Sequence, residues 1–195
     1  MLTFKKWRML RRSNKLPKTP VWAPHSVLLV AAAVNWNVAW AEVLDGRYSY
    51  RLAEAYIDRH GGTLAPAGAL EIDGRRVSCG PAPTVLDTHY DDFGGSIPGF
   101  LIINPNLFAG LAKPVKLWIY SHECAHQITG NDEAQADCHA VQRGHREGWL
   151  SISGLHQVCE FMKPANGDQS HFTGTQRCGL MLQCFDTRKR AKDHP

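Results

Sequence analysis

Several features that would mark a specialised class of protein are missing from this sequence of 195 residues. It contains no internal repeat, and its 17 glycines and 11 prolines are too few for a collagenous or low-complexity chain. Apolar residues make up 44% and charged residues 21%, which provides for a packed core and excludes a disordered chain. The length leaves room for one domain, or for one domain with a processed extension.

Acidic residues are absent from residues 1–41, which carry seven lysines and arginines. The whole chain has 22 basic and 18 acidic residues, so residues 42–195 keep 22 less seven, or 15, basic residues against all 18 acidic ones. That part therefore has a net charge of about −3 and no cationic surface along which a phosphate backbone could bind. We expect no nucleic-acid partner.

No apolar run reaches the length of about 20 residues that a membrane-spanning helix needs. The basic start is instead followed by a short apolar segment, 27–34, and by Ala39-Trp40-Ala41, which fits the small-residue pattern of a signal-peptide cleavage site. The sequence therefore predicts a secretory signal peptide in residues 1–41, cleaved after Ala41, and one secreted or periplasmic domain in residues 42–195. An uncleaved leader would instead tether the protein to a membrane; with cleavage, no stable membrane span is expected.

The six cysteines all lie in the predicted mature part, and their even number favours disulfides formed after export. They are Cys79, Cys124, Cys138, Cys159, Cys178 and Cys184. The sequence leaves their pairing open, although Cys178 and Cys184 are close enough to Cys159 to predict one bridge that fixes the C-terminal segment. No CxxC motif occurs, so a structural zinc knuckle is not expected.

Hydrophobic spacing and turn-forming residues predict a mixed α and β chain. The predicted helices are Arg51–His60, Val115–Gln127, a helix capped by Asp132 that ends near Arg143 at Gly144, Ser153–Phe161 and Thr175–Cys184. The predicted strands are a hairpin of Ala69–Ile72 and Arg76–Cys79, then Pro83–Thr88 and Phe100–Ile103, with Asp91–Gly99 as a loop.

One of these helices contains the motif HExxH, as His122-Glu123-Cys124-Ala125-His126. Residues four apart lie on one face of a helix, so both imidazoles can bind one Zn²⁺ while Glu123 lies near a water on that metal. A shuffled chain of this composition would contain the motif with a probability of about 0.02, so it needs support from elsewhere.

The next predicted helix supplies two carboxylates four residues apart, Glu133 and Asp137. We expect Glu133 to be the third metal ligand. Asp137, one turn later, is expected to hydrogen-bond the distal ring nitrogen of His122 and so fix its tautomer. Three protein ligands leave the fourth position open, which distinguishes a catalytic zinc from a structural one.

A different third ligand is also consistent with the spacing. Asp132 occupies the last position of the metzincin-like pattern HExxHxxGxxD, although Thr129 stands where that pattern has glycine. The sequence leaves Glu133 and Asp132 as alternatives.

HECAH followed by EAQADC resembles the HExxH plus ExxAD pairing of gluzincin metallopeptidases, and EAQADC is similar to the neutral zinc metallopeptidase family. His171-Phe172 through Arg177 resembles the HP-x4-R element of the heat-shock and prenyl-protease gluzincins, with Phe172 in place of proline. The resemblance implies an α+β, small zincin-like domain. In it, a short β-sheet packs on the HExxH and ExxAD helices, followed by disulfide-stapled C-terminal helices.

The resemblance also implies an activity, which is zinc-dependent hydrolysis of peptide or protein substrates. Glu123 would act as base and then as acid, and His171 would donate a hydrogen bond to the developing oxyanion, while Arg177 helps to build the site. The substrate is expected to bind extended, as a strand added to the edge formed by Phe100, Leu101, Ile102 and Ile103.

A binding module is the alternative function. In that case zinc only secures the fold of a secreted, disulfide-containing domain, and the open ligand position is filled or buried.

Overall fold

A computed structural model describes residues 46–167 and 172–193 of the chain, with side chains up to residue 185. The predicted signal peptide, residues 1–41, and His171 lie outside these described residues. Among the described helices, none has the length and apolar character that crossing a bilayer requires.

The described chain is of the α+β class with a small sheet, as the sequence predicts, and it has six helices where five are predicted. The helices are α1 (Arg47–His60), α2 (Pro105–Phe108), α3 (Lys113–Thr129), α4 (Glu133–Arg146), α5 (Ile152–Met162) and α6 (Gly174–Asp193). Three of the predicted helix boundaries are confirmed: α1 ends at His60 before Gly61, α3 has Pro114 in its first turn, and Asp132 caps α4.

Four strands form the sheet and two more form a separate hairpin. The strands are β1 (Thr63–Ala65), β2 (Glu71–Ile72), β3 (Arg75–Arg76), β4 (Thr84–Leu86), β5 (Gly94–Ile97) and β6 (Phe100–Ile103). The sheet order is β1-β4-β6-β5, in which β4 and β6 are parallel and the other pairs are antiparallel. The predicted hairpin around Asp73 and Gly74 is confirmed as β2 and β3, although both strands are shorter than predicted and β3 begins at Arg75, one residue earlier.

The segment from Asp91 to Gly99 is not a loop throughout, because Gly94–Ile97 forms β5. Its glycines look like turn signals in the sequence but serve close packing. A Cβ atom on Gly94 would lie 3.2 Å from the Cγ of Glu123, and one on Gly95 would lie 2.2 Å from the hydroxyl of Tyr90. Glu123 is 29 residues from Gly94 in the sequence, so local sequence signals could not reveal that contact.

The expectation that Phe100–Ile103 offers a free edge is therefore wrong. This strand, β6, is interior, because β4 pairs with it on one side and β5 on the other. Phe100 and Ile102 face α1, while Leu101 and Ile103 belong to the larger core that includes α3. Both faces of β6 are buried, which explains why all four of its residues are apolar.

Helix α4 continues through Gly144 rather than ending there. A Cβ atom at this position would lie 2.7 Å from the Cβ of Leu150 and 2.7 Å from the ring of Trp149. The glycine is needed because the chain packs against the helix here, and not because the helix stops.

Three disulfides connect the helices to each other and to the β2–β3 region. They are Cys79–Cys124, Cys138–Cys184 and Cys159–Cys178. The last two join α6 to α4 and to α5, which confirms the predicted bridge in the C-terminal segment. Three disulfides in a chain of this size fit an oxidising, extracellular setting.

The tight packing at Gly144 generates a stability prediction. Gly144→Ala should lower the free energy of unfolding by about 1–3 kcal/mol, because the methyl group overpacks the contact with Leu150 and Trp149. Gly179→Ala in α6 is the control; an added Cβ there meets nothing within 4 Å, so the change should stabilise the helix by about 0.5–1 kcal/mol. Urea unfolding of both variants measures the difference, and equal stabilities would contradict this explanation of Gly144.

Candidate metal centre

Helices α3 and α4 bring three possible ligands together. His122 and His126 lie one turn apart on α3, and Glu133 begins α4 after a connection of three residues, 130–132. Together they form a group that could hold a metal ion, with ligand atoms within 4.8 Å of one another. The structure thus places all three sequence-predicted ligands in one cluster.

The distances within this cluster suit a single small cation. The Nε2 atoms of His122 and His126 are 3.1 Å apart, and Glu133 oxygens lie 3.2 Å from the first and 3.5 Å from the second. Ligands bound at about 2.0–2.1 Å in a tetrahedral arrangement lie about 3.3–3.4 Å from each other. The two imidazole nitrogens and the Glu133 carboxylate, which contacts His122 through Oε2 and His126 through Oε1, are therefore spaced closely enough to bind one ion.

Hydrogen bonds to the opposite ring nitrogens set the tautomers of both histidines. The Nδ1 of His126 lies 2.6 Å from the carbonyl oxygen of Gly130, which can only accept, so this nitrogen donates. The Nδ1 of His122 lies 3.0 Å from the Asp137 carboxylate. In the neutral form of each ring, the Nε2 lone pair is left for a metal ion.

Arg177 from α6 holds Asp137 in place. Its guanidinium donates two parallel hydrogen bonds to the two Asp137 oxygens, each 2.7 Å long, and also lies 3.8 Å from Glu133. Arg177 is only 3% exposed, so its contacts are with the protein and not with solvent. Arg177 of α6 thus contacts Asp137, and Asp137 in turn contacts His122.

Burial and charge act in opposite directions on the protonation of these groups. Burial by itself would lower the pKa of His122, but hydrogen bonds to Asp137 and Glu133 outweigh it and raise the pKa to about 9. Burial would raise the pKa of the carboxyl groups of Glu133 and Asp137. Their contacts with His122 and Arg177 outweigh burial and lower the pKa of each below its usual range. Burial and the charge of His122 lower the pKa of His126. A metal ion binding here has to displace a proton from His122.

Glu123 lies beside the cluster, and its side chain is buried. Its side chain is 1% exposed, and its Oε1 atom has no hydrogen-bond partner among residues 46–167 and 172–193. Burial is the main cause that raises the pKa of Glu123 to about 7. A carboxyl group that exchanges its proton near neutral pH, with one oxygen available, suits general acid–base chemistry.

The alternative third ligand, Asp132, lies outside the cluster. It is exposed and caps α4, where its side chain accepts from the backbone N–H and the side-chain amide of Gln135 at 2.9 and 2.7 Å. Glu133, by contrast, is buried beside both imidazoles. The geometry favours Glu133.

Two residues near the centre have no role in the sequence prediction. Gly94 lets β5 approach Glu123, and Gln127 contacts the β5–β6 hairpin from α3. Gln127 could have been noticed as the residue four positions after Glu123, on the same helix face. No local signal identifies Gly94, because its role depends on the tertiary contact.

The chain matches no known protein-family model, and neither a curated protein nor a solved structure is similar to it.

The position of Glu133 generates a prediction about metal affinity. Glu133→Gln should weaken zinc binding by about 10²-fold or more, because the change removes a charged ligand. Asp132→Asn, which keeps a capping oxygen, should leave the affinity within about twofold. Isothermal titration with zinc in metal-free protein measures both values. A loss in the Asp132 variant alone would transfer the ligand role to Asp132.

The raised pKa of Glu123 generates a prediction about pH. The folded group keeps its proton up to about pH 7, whereas the unfolded group, with a pKa of 4.5, releases it earlier, so the native state loses stability as pH rises between these values. In the presence of a chelator, Glu123→Gln should therefore gain up to about 3 kcal/mol relative to the parent between pH 5 and pH 8. Thermal unfolding against pH measures this, with the exposed Glu54→Gln as control. A stability difference that does not vary with pH would contradict the prediction.

Proposed function

We propose that this chain is a secreted or periplasmic zinc metallopeptidase that resembles the gluzincins and has a zincin-like fold. The observation that carries the proposal is the buried group of His122, His126 and Glu133 with Glu123 beside it. Two imidazole nitrogens and one carboxylate oxygen form a donor set typical of catalytic zinc, with one coordination position left for water or substrate.

His122, His126 and Glu133 would hold a zinc ion, which would supply Lewis acidity toward a peptide carbonyl and toward water at the site. Glu123 takes the proton from the attacking water and then delivers it to the leaving amine. The burial of Glu123 supports this role, because a carboxyl group with a pKa of about 7 can do both near neutral pH. Asp137 and Arg177 keep His122 oriented throughout.

Strand β5 is the surface proposed for substrate. It is the edge of the sheet on the side of α3, with β6 as its one partner among the described strands, and Gly94 packs against Glu123. An extended polypeptide added to β5 would lie along the strand that packs against Glu123 and make main-chain hydrogen bonds, with little dependence on its sequence. This replaces the docking strand expected from the sequence.

Export is part of the proposal. The three disulfides favour an oxidising compartment, and the signal-peptide pattern ending at Ala41 supplies a route to it. His171 is proposed as the donor to the oxyanion on the resemblance alone.

Glu123→Gln tests the proposal directly. The variant should keep its zinc and lose peptide cleavage by about 10²- to 10⁴-fold, because the base is removed while the ligands remain. Zinc content and the cleavage rate of an unstructured protein measure the two effects, and the exposed Glu54→Gln is the matched control.

Two results would count against the proposal. Cleavage by Glu123→Gln at the parent rate would overturn the assignment of the base. Tight zinc binding by a parent protein that cleaves no peptide would favour the alternative, a binding module with a structural metal.

A further inference from the structure

Gln127, on α3, binds the β5–β6 hairpin with both ends of its side-chain amide. The amide nitrogen donates to the hydroxyl of Ser96 at 2.6 Å and lies 3.0 Å from the carbonyl oxygen of Ile97 and 3.4 Å from that of Phe100. The amide oxygen accepts a hydrogen bond from the N–H of Gly99 at 2.8 Å. One side chain thus contacts β5, the turn and the start of β6.

Gln127 and Glu123 contact the same strand at two points. They are four residues apart and therefore lie on one face of α3, separated by about 6 Å along the helix axis. Along β5, the contact with Glu123 is at Gly94 and the contact with Gln127 begins at Ser96, about 6.6 Å further on. The two contacts are therefore about equally far apart along the helix and along the strand.

Strand β5 depends on this support more than an ordinary strand does. Within the described chain it has one neighbour, β6, and two of its four residues are glycines, which weaken a strand because they add no side-chain packing. Gln127 supplies donors to main-chain carbonyls and an acceptor for a main-chain N–H, so it fixes the backbone itself.

We propose that Gln127 is a positioning residue that holds β5 as the docking strand for extended polypeptides at a set distance from Glu123. The inference rests on the proposed function and deepens it. It makes long unstructured segments the substrate class, because a segment must extend along β5 to benefit from a strand that is fixed in place. Short peptides that reach only the metal ligands gain nothing from Gln127.

The test compares two variants with a matched control. Gln127→Glu keeps the shape of the side chain and an oxygen that can accept from the N–H of Gly99. It loses the N–H donors and places a negative charge next to the carbonyl oxygens of Ile97 and Phe100. Gln127→Met keeps the length without charge or hydrogen bonds. Gln157→Glu makes the same chemical change on the exposed side of α5. The substrates are a long unstructured peptide and a tripeptide, and zinc affinity is measured for each protein.

Both Gln127 variants should raise KM for the long peptide about tenfold while kcat changes less than about twofold. Values for the tripeptide and the zinc affinity should stay within about twofold of the parent. A merely structural role would instead lower kcat for both substrates or reduce zinc binding. An effect of Gln127→Glu without one of Gln127→Met would point to the added charge and overturn the proposal.

Binding of a fluorescent long peptide to the zinc-loaded Glu123→Gln protein, with and without the Gln127 changes, separates this proposal from the proposed function. If the parent cleaves peptides but neither KM nor binding depends on Gln127, the positioning role fails and the peptidase stands. If the parent cleaves nothing but binding weakens about tenfold in the Gln127 variants, the docking role stands and catalysis fails. If long peptide is neither cleaved nor bound, both fail.

Discussion

The buried contact between Arg177 and Asp137 is the interaction on which the centre depends. Asp137 is fully buried, and a carboxylate in that position is tolerated only with a well-placed partner. Arg177 provides this with two hydrogen bonds of 2.7 Å, and Asp137 can then orient His122. Removal of either partner would leave an uncompensated charge beside the metal ligands, at a cost of about 3–5 kcal/mol.

The charges around this contact favour binding of a cation in the cluster. Glu123, Glu133 and Asp137 are all buried carboxyl groups, while Arg177 is the one buried arginine of the described residues. Protonation of His122 and Glu123 offsets part of the negative charge, as the raised pKa of each indicates. A divalent ion bound by His122 would take the place of the proton on that ring, while Glu123, which is not in the ligand group, could still exchange its own proton.

The disulfides reinforce the same arrangement. Each bridge contains a cysteine that directly follows a residue of the centre: Cys124 follows Glu123, Cys138 follows Asp137, and Cys178 follows Arg177. The bridges therefore constrain the three helices α3, α4 and α6 at the points where they meet. A domain of this size has limited core area, and cross-links compensate by restricting the unfolded chain.

Much of the centre is local in the sequence, which is why it could be predicted. The spacing of His122 and His126, the cap at Asp132 and the carboxylates four residues apart all act within one or two helical turns. Strand β5 could not be predicted, because its glycines resemble turn signals and the packing of Gly94 against Glu123 is a contact between distant parts of the sequence. The cysteine pairing was open for the same reason. Only the resemblance predicts that Arg177 lies near the site, because its partner, Asp137, is 40 residues away in the sequence.

X-ray absorption at the zinc edge of the purified protein tests the central claim most directly. The account predicts a shell of nitrogen and oxygen ligands at about 2.0–2.1 Å, with the multiple scattering of two imidazoles and no sulfur. A sulfur shell at about 2.3 Å would contradict it, because every cysteine is assigned here to a disulfide. The absence of bound zinc after reconstitution of the oxidised protein would contradict it as well.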